Sequence, residues 1–274
     1  MKIQEFGNGP IEVVVAPGGP GLVPEFYREL VEALADRYTV TVAAFTGTHP
    51  EPQERFPQDI AQAADELEEV VRSRAETGRP TILLGHSYGG AVAIEALLRD
   101  LPVAGAILMS SFPSGDFLAH GIAARVAELP ESFHQRIEDG AADDATSLAA
   151  LIGEYWFPRH LCTTGLPDSF QTGLEKLNPH FMNHVVGPNL LSPSGAILDW
   201  NRESDLRSIS TPVLVLGGPQ DYFPTDAVRT VFSQIPDVRF VFPVGASHSA
   251  WIENEPETIA AIHRFVEECA VHES

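Results

Sequence analysis

The densest chemistry in the chain sits in six consecutive residues, Gly85-His86-Ser87-Tyr88-Gly89-Gly90. An apolar run, Thr81–Leu84, precedes them, and a helical run, Gly90–Leu101, follows. A serine held between a strand and a helix by glycines is pushed out on a sharp turn, the arrangement called a nucleophile elbow. A serine hydroxyl is a weak nucleophile and needs a base. His248, in Gly245-Ala246-Ser247-His248-Ser249-Ala250-Trp251, falls between the last strand-like run and the last helical run. His86 and His49 compete for that role. If the elbow forms, His86 points away from the serine's face and reads as a packing residue. The base in turn needs an acid to fix its tautomer and stabilise the imidazolium. Asp221, in Gly217-Gly218-Pro219-Gln220-Asp221, follows the run Pro212–Leu216. Asp226 lies close by, but it opens a helix, where compensation of the helix dipole accounts for it.

Acyl chemistry also needs donors for the developing oxyanion. One is the N–H of Tyr88, the residue after the serine. The other is expected from Pro17-Gly18-Gly19-Pro20-Gly21, the loop after the second strand-like run, and is assigned to Gly19. The competing reading of that loop is a plain turn.

These residues need a scaffold. Lys2–Phe6 and Ile11–Ala16 read as strands joined by the turn Gly7-Asn8-Gly9-Pro10, and Thr39–Ala44 as a further strand. Pro24–Ala35 and Asp59–Arg74 carry apolar residues at helical spacing, and Ala104–Met109 is strand-like. From Phe112 to Asp205 the rhythm gives way to helices and loops rich in aromatics, His and Pro. It resumes with Pro212–Leu216, a helix over Thr225–Ile235, a strand over Val238–Phe242 and a last helix opened by Asn254-Glu255-Pro256. Strand–helix alternation predicts a mostly parallel sheet with helices on both faces. The order Ser, Asp, His along the chain is that of the α/β-hydrolase fold. The expected organisation is an α/β-hydrolase core, residues 1–111 and 206–274, with an inserted helical cap over 112–205.

Composition narrows the partners. The chain has 274 residues, 44% hydrophobic and 20% charged, an ordinary balance for one domain with an insertion. No stretch approaches the roughly 20 apolar residues of a membrane span. The net charge of −21 repels phosphate backbones and anionic lipid, which argues against nucleic acid and membrane partners. The acids are spread along the chain, so the charge reads as solubility rather than as a field for a cationic substrate. Met1–Pro10 has no apolar h-region and reads as no signal peptide. Cys162 and Cys269 fit no metal spacing, and a reduced, cytoplasmic chain is expected. No cofactor or metal is implied, the partner is a small-molecule substrate, and the oligomeric state is open.

The same residues resemble the proline iminopeptidase family of α/β-hydrolases over nearly the whole chain. That family's His-Gly-Gly-Pro-Gly loop stands here as Pro17-Gly18-Gly19-Pro20-Gly21. Tyr155-Trp156-Phe157-Pro158-Arg159-His160-Leu161-Cys162 resembles its aromatic and Arg-His-x-Cys segment. Gly187-Pro188-Asn189, Gly195, Asp199-Trp200 and Thr211-Pro212 follow its approach to the acid strand. The resemblance implies a cap that closes over small substrates with a free N-terminal residue.

The departures fall on recognition. The family's Gly-Pro-Asn-Glu-Phe becomes Gly187-Pro188-Asn189-Leu190-Leu191, and its Asp-Glu becomes Asp221-Tyr222. The family's Asp-x-x-Gly-x-Gly-x-Ser is reduced to Phe45-Thr46-Gly47-Thr48-His49. The resemblance makes the two lost glutamates the ligands of the substrate's α-ammonium. A buried ammonium without a carboxylate is costly, so an aminopeptidase substrate should bind poorly. The alternative is that another acid, such as Glu154, takes over.

The expected activity is hydrolysis of a small, rather apolar amide or ester through an acyl-enzyme on Ser87. Candidates for the substrate pocket are Trp156, Phe157, Met182, Leu190 and Tyr222. The same triad in a dry site would also serve acyl transfer, cyclisation or elimination. A non-catalytic binding protein is the third reading, and an intact triad argues against it.

Overall fold

The computed structural model describes residues 1–48, 54–140 and 144–271. His49, one competitor for the base, lies outside them. Seven strands form one sheet: β1 (Lys2–Phe6), β2 (Glu12–Ala16), β3 (Thr39–Ala44), β4 (Thr81–His86), β5 (Gly105–Met109), β6 (Val213–Leu216) and β7 (Val238–Val241). Their order is β1-β3-β2-β4-β5-β6-β7. All pairs are parallel except β1 with β3. The first two strands were expected to share a turn, but β1 pairs with β3 at the sheet edge and does not touch β2. Gly9 explains the detour. A Cβ there would stand 2.0 Å from the Arg37 carbonyl, so the link packs against the chain entering β3 instead of closing a hairpin.

The central strands are buried on both faces, which is why they read as unbroken apolar runs. Val14, Ala16 and Leu83 face one way, onto α2 (Ile60–Ala75) and α3 (Tyr88–Leu97). Val13, Val15, Ile82 and Leu84 face the other, onto α1 (Arg28–Ala35) and the C-terminal helix Glu255–Val271. The run Pro24–Ala35 is split, with Pro24–Tyr27 a 3₁₀ turn before α1. Asp59 caps α2 by accepting the Gln62 N–H at 2.8 Å.

After β5 the strands stop. The chain passes through α4 (Gly115–Ala127), α5 (Glu131–Glu138), α6 (Ala145–Leu151), a π-helical stretch Ile152–Leu161, α7 (Asp168–Glu175) and α8 (Pro179–Val185) before β6. An isolated antiparallel bridge, Ser114 to Asn201, joins the two ends of this segment. Beside it, buried Glu95 of α3 accepts from Trp200 Nε1 at 2.9 Å and Arg202 Nε at 2.7 Å. The helical segment is therefore tied to the helix that follows the candidate nucleophile. Beyond β6, α9 (Thr225–Phe232), α10 (Ala250–Glu253) and α11 (Glu255–Val271) complete the chain. No helix among the described residues is long and apolar enough to cross a membrane.

Candidate active site

Ser87 joins β4 to α3 with φ 52° and ψ −119°, in the left-handed region that costs a non-glycine residue about 1–3 kcal/mol. Its neighbours permit the turn. A Cβ on Gly89 would meet the Ala16 carbonyl at 2.1 Å, and one on Gly90 would meet Ser111 Oγ at 2.3 Å. The strain is held by the sheet. The Ser87 N–H donates to the Met109 carbonyl at 2.9 Å, and Ser111 Oγ donates to the Ser87 carbonyl at 3.1 Å.

Asp221 and His248 stand on the loops after β6 and β7. His248 Nδ1 lies 2.6 Å from Asp221 Oδ1, with both side chains buried. The same carboxylate oxygen accepts the Tyr222 N–H at 2.6 Å. A carboxylate oxygen at this distance fixes the proton on Nδ1 and leaves the Nε2 lone pair for substrate chemistry. Asp226, the competitor, is in the first turn of α9, as its helix-start reading required.

Ser87 and His248 line one cavity together with Gly19, Tyr88 and Tyr222. The Tyr88 N–H belongs to the first turn of α3, where backbone donors have no partner inside the helix. The loop carrying Gly19 comes close because Gly18 has no side chain. A Cβ there would sit 2.9 Å from Ser87 Cβ. Gly19 and Tyr88 thus border the same space as Ser87.

His86 is buried and takes part in a hydrogen-bond chain that the sequence did not show. The Gly18 N–H donates to Tyr27 Oη at 2.5 Å, and Tyr27 Oη lies 2.8 Å from His86 Nδ1. His86 Nε2 lies 3.1 Å from the His248 carbonyl. A carbonyl only accepts, so Nε2 carries the proton and the Tyr27 hydroxyl donates to Nδ1. Burial, and the neighbouring His248, push the His86 pKa well below the usual histidine range. Tyr27 was read only as part of a helical run; nothing local to it signals a contact with the loop nine residues earlier.

The cavity has a volume of about 150 Å³, which suits a small substrate. More than half of its described lining residues lie between Phe112 and Ile197. No Asp, Glu, Lys or Arg is among the lining residues described. Phe157, Met182, Leu190 and Tyr222 are on its wall, as expected. Trp156 is not. It is fully buried one layer back, its ring 5.1 Å from that of Tyr222 and 4.6 Å from that of His160. Leu22 and Phe26, from the loop and turn after β2, also line the cavity and were missed. Phe26 falls within the helical run Pro24–Ala35, and Leu22 stands before it with no local signal. Glu154, the possible replacement acid, is exposed, pairs with Arg136 and is not on the cavity wall.

Tyr222 holds a special position. Its ring stacks on the His248 imidazole at 3.9 Å and 8°. Burial pushes its phenol above the usual range, so it is neutral at physiological pH.

Comparison with known proteins places this geometry in a class. Residues 13–262 match the model of an alpha/beta hydrolase family, and the chain belongs to that family. The proline iminopeptidase of Chitinophaga pinensis is 24% identical over 278 residues, covering 97% of this chain and 93% of that protein. The crystal structure of proline iminopeptidase from Mycobacterium smegmatis superposes with a TM-score of 0.86 at 22% identity, covering 99% of this chain and 96% of that one. The crystal structure of VinJ gives the same TM-score, 0.86, at 20% identity, covering 97% of this chain and 94% of that one. The resemblance to proline iminopeptidases extends across the chain, at an identity that fixes the fold and leaves the substrate open.

Proposed function

We propose that this α/β-hydrolase cleaves a small, rather apolar amide or ester through an acyl-enzyme, and that it is not a true proline aminopeptidase. The observation that carries this reading is the buried His248–Asp221 pair at 2.6 Å, which shares with Ser87 a cavity whose described walls hold no charged side chain. In the proposed reaction His248 Nε2 takes the Ser87 Oγ proton as Oγ attacks the carbonyl carbon. The oxyanion is held by the Tyr88 and Gly19 N–H groups, and the loss of one such donor costs other enzymes about 10²–10³ in kcat. The imidazolium then protonates the leaving amine or alcohol. Water, deprotonated by the same nitrogen, releases the acid and frees Ser87. Asp221 keeps the imidazole oriented throughout. The helical segment, taken as residues 112–205, acts as the cap, with Phe157, Met182 and Leu190 against the substrate.

Rejection of a free α-ammonium follows from the wall. Leu190 and Tyr222 stand there as neutral groups, and a buried cation without a partner loses several kcal/mol. The test is a panel of acyl esters, anilides and aminoacyl substrates against wild type and Ser87→Ala. A prolyl anilide should be a poorer substrate than its N-acylated analogue. A clear preference for the free amine would overturn the substrate assignment and point to a carboxylate elsewhere in the pocket.

A second reading keeps the triad and replaces hydrolysis by acyl transfer, cyclisation or elimination. The stacked Tyr222 ring supports it, because it covers one face of the base and restricts the approach of water. An acyl-enzyme that forms fast and hydrolyses slowly, then turns over on adding an amine or alcohol, distinguishes transfer from hydrolysis.

A further inference from the structure

Three consecutive carbonyls of the acid loop accept hydrogen bonds from the cap. Arg125 of α4 donates from Nη2 to Pro219 at 2.7 Å and from Nε to Asp221 at 2.8 Å. Between them, His160 Nδ1 lies 2.9 Å from the Gln220 carbonyl and is its donor, since the carbonyl only accepts. His160 also reaches the base. Its own carbonyl accepts the backbone N–H of His248 at 3.0 Å. One cap residue thus bonds to both catalytic loops, once through its ring and once through its backbone.

The local sequence explains how it gets there. Pro158 lies inside the stretch Ile152–Leu161, where a proline removes a donor and disrupts α-helical bonding. The chain takes the wider i→i+5 spacing instead, and Cys162 N–H donates to the Phe157 carbonyl at 3.0 Å. Trp156 and His160, four residues apart, then face the triad together, with Trp156 against the Tyr222 ring that covers His248. Three residues beyond His160, the stretch is fastened again. Glu253 accepts from the Thr163 N–H at 2.6 Å and from the Ser247 N–H, next to the base, at 2.6 Å.

From this geometry we infer that the π-helical stretch of the cap is a strut for the triad, and that His160 is a positioning residue for the Asp221–His248 pair. The inference rests on the proposed use of that pair as acid and base. The cap is then more than a wall for the substrate, because its seating sets the distance between the two catalytic loops. Burial pushes the His160 pKa below the ordinary histidine range, which keeps the ring neutral, with its proton committed to Gln220.

The experiment compares His160→Leu, which keeps the buried bulk and removes the donor, with His160→Asn, which restores an N–H at the same end. The first readout needs no turnover. A short Nδ1–H···carboxylate bond gives a far-downfield proton resonance, assigned to His248 by its loss in His248→Gln. It should weaken or move upfield in His160→Leu and return in His160→Asn. The second readout is kinetic, with a p-nitrophenyl ester of a short fatty acid and with a fluorophosphonate that labels Ser87. His160→Leu should lower kcat and the labelling rate about ten- to a hundredfold, roughly 1.4–2.8 kcal/mol of barrier. KM should stay within twofold, and His160→Asn should recover most of the loss. A folded His160→Leu with an unchanged resonance and wild-type rates overturns the strut, as does a defect confined to KM. If His160→Leu does not fold, Arg125→Gln carries the same test through the Pro219 and Asp221 carbonyls. Wild-type protein that never labels on Ser87 overturns the proposed function, while the resonance still decides the strut.

Discussion

The strand ends that carry Ser87, Asp221 and His248 and the helices that cover them are built on opposite terms. At the strand ends the backbone is held by short, directional bonds: Ser87 to Met109, Asp221 to Tyr222, His86 to His248. The glycines beside the serine admit no side chain, because a Cβ on Gly89 or Gly90 would meet the Ala16 carbonyl or Ser111 Oγ. On the cavity side of the helices the contacts are apolar and non-directional, made by Phe157, Met182, Val186 and Leu190. Volume-conserving exchanges of such side chains usually cost less than 1.5 kcal/mol. One half can therefore be kept for chemistry while the other is rewritten for a different substrate.

Four experiments test that division. The largest effect should come from the chemical half. Ser87→Ala removes the proposed nucleophile and should lower kcat by about 10³-fold or more with the melting temperature little changed. The strain at φ 52° stays in the variant, because alanine also carries a Cβ, so no gain in stability is expected. Wild-type turnover in this variant would end the covalent mechanism.

Next is the seam between the halves. Glu95→Ala leaves the Trp200 indole and the Arg202 guanidinium without their buried acceptor. Hydrogen bonds to charged groups contribute about 1.5–3 kcal/mol, so chemical denaturation should show a loss of that order. Hydrogen exchange should rise first in the helices between β5 and β6, with the central strands still protected. Uniform loss of protection would mean that the halves unfold as one unit.

The third experiment acts on the apolar cavity wall, through one residue from each half. Leu190→Glu with Tyr222→Glu places two carboxylates at the cavity and should raise the ratio of free-amine to acylated substrate turnover about tenfold. The double variant should exceed either single one, because two carboxylates facing one ammonium act together. No change in the ratio for a folded double variant would show that these side chains do not meet the substrate's amine end.

The smallest effect concerns pH. The folded-state pKa of His86 lies well below its ordinary 6.5, so the unfolded chain binds a proton that the native one refuses. Its contribution is full above the unfolded pKa and is lost as pH falls below it. Between pH 6 and 5, wild type should lose up to about 1.4 kcal/mol per unit more than His86→Gln. Parallel stability curves for the two proteins would contradict the buried neutral imidazole.

The same division decides what could be seen in the sequence. Ser87, Asp221 and His248 stood out because each follows a strand and precedes a helix, and because glycines mark the turn that the serine needs. The structure gathers all three at the carboxyl ends of β4, β6 and β7. On the helical side, residue type alone could not separate wall from filling. Phe157 and Trp156 are adjacent aromatics, yet one lines the cavity and the other lies behind Tyr222. The shift to i→i+5 spacing around Pro158 turns the face, and periodicity assumes the ordinary spacing. Tyr27 and Leu22 show the complementary limit, since their partners are fixed by close approach across the sheet end and not by local pattern. The pairing of β1 belongs here too: its glycine-rich link fitted a hairpin and a crossover equally.

The chain of bonds from Gly18 through Tyr27 and His86 to His248 has one further property. It begins at an amide N–H, which cannot accept, and ends at a carbonyl, which cannot donate. Reversing any one bond would leave two donors or two acceptors facing each other, so the string has a single proton arrangement. It cannot conduct a proton, because neither end can take one up or release one at physiological pH. A histidine directly beside the proposed nucleophile would otherwise be a rival base. Here it is a closed circuit element: polarised, ordered and unable to discharge, it leaves proton traffic at Ser87 to the other imidazole.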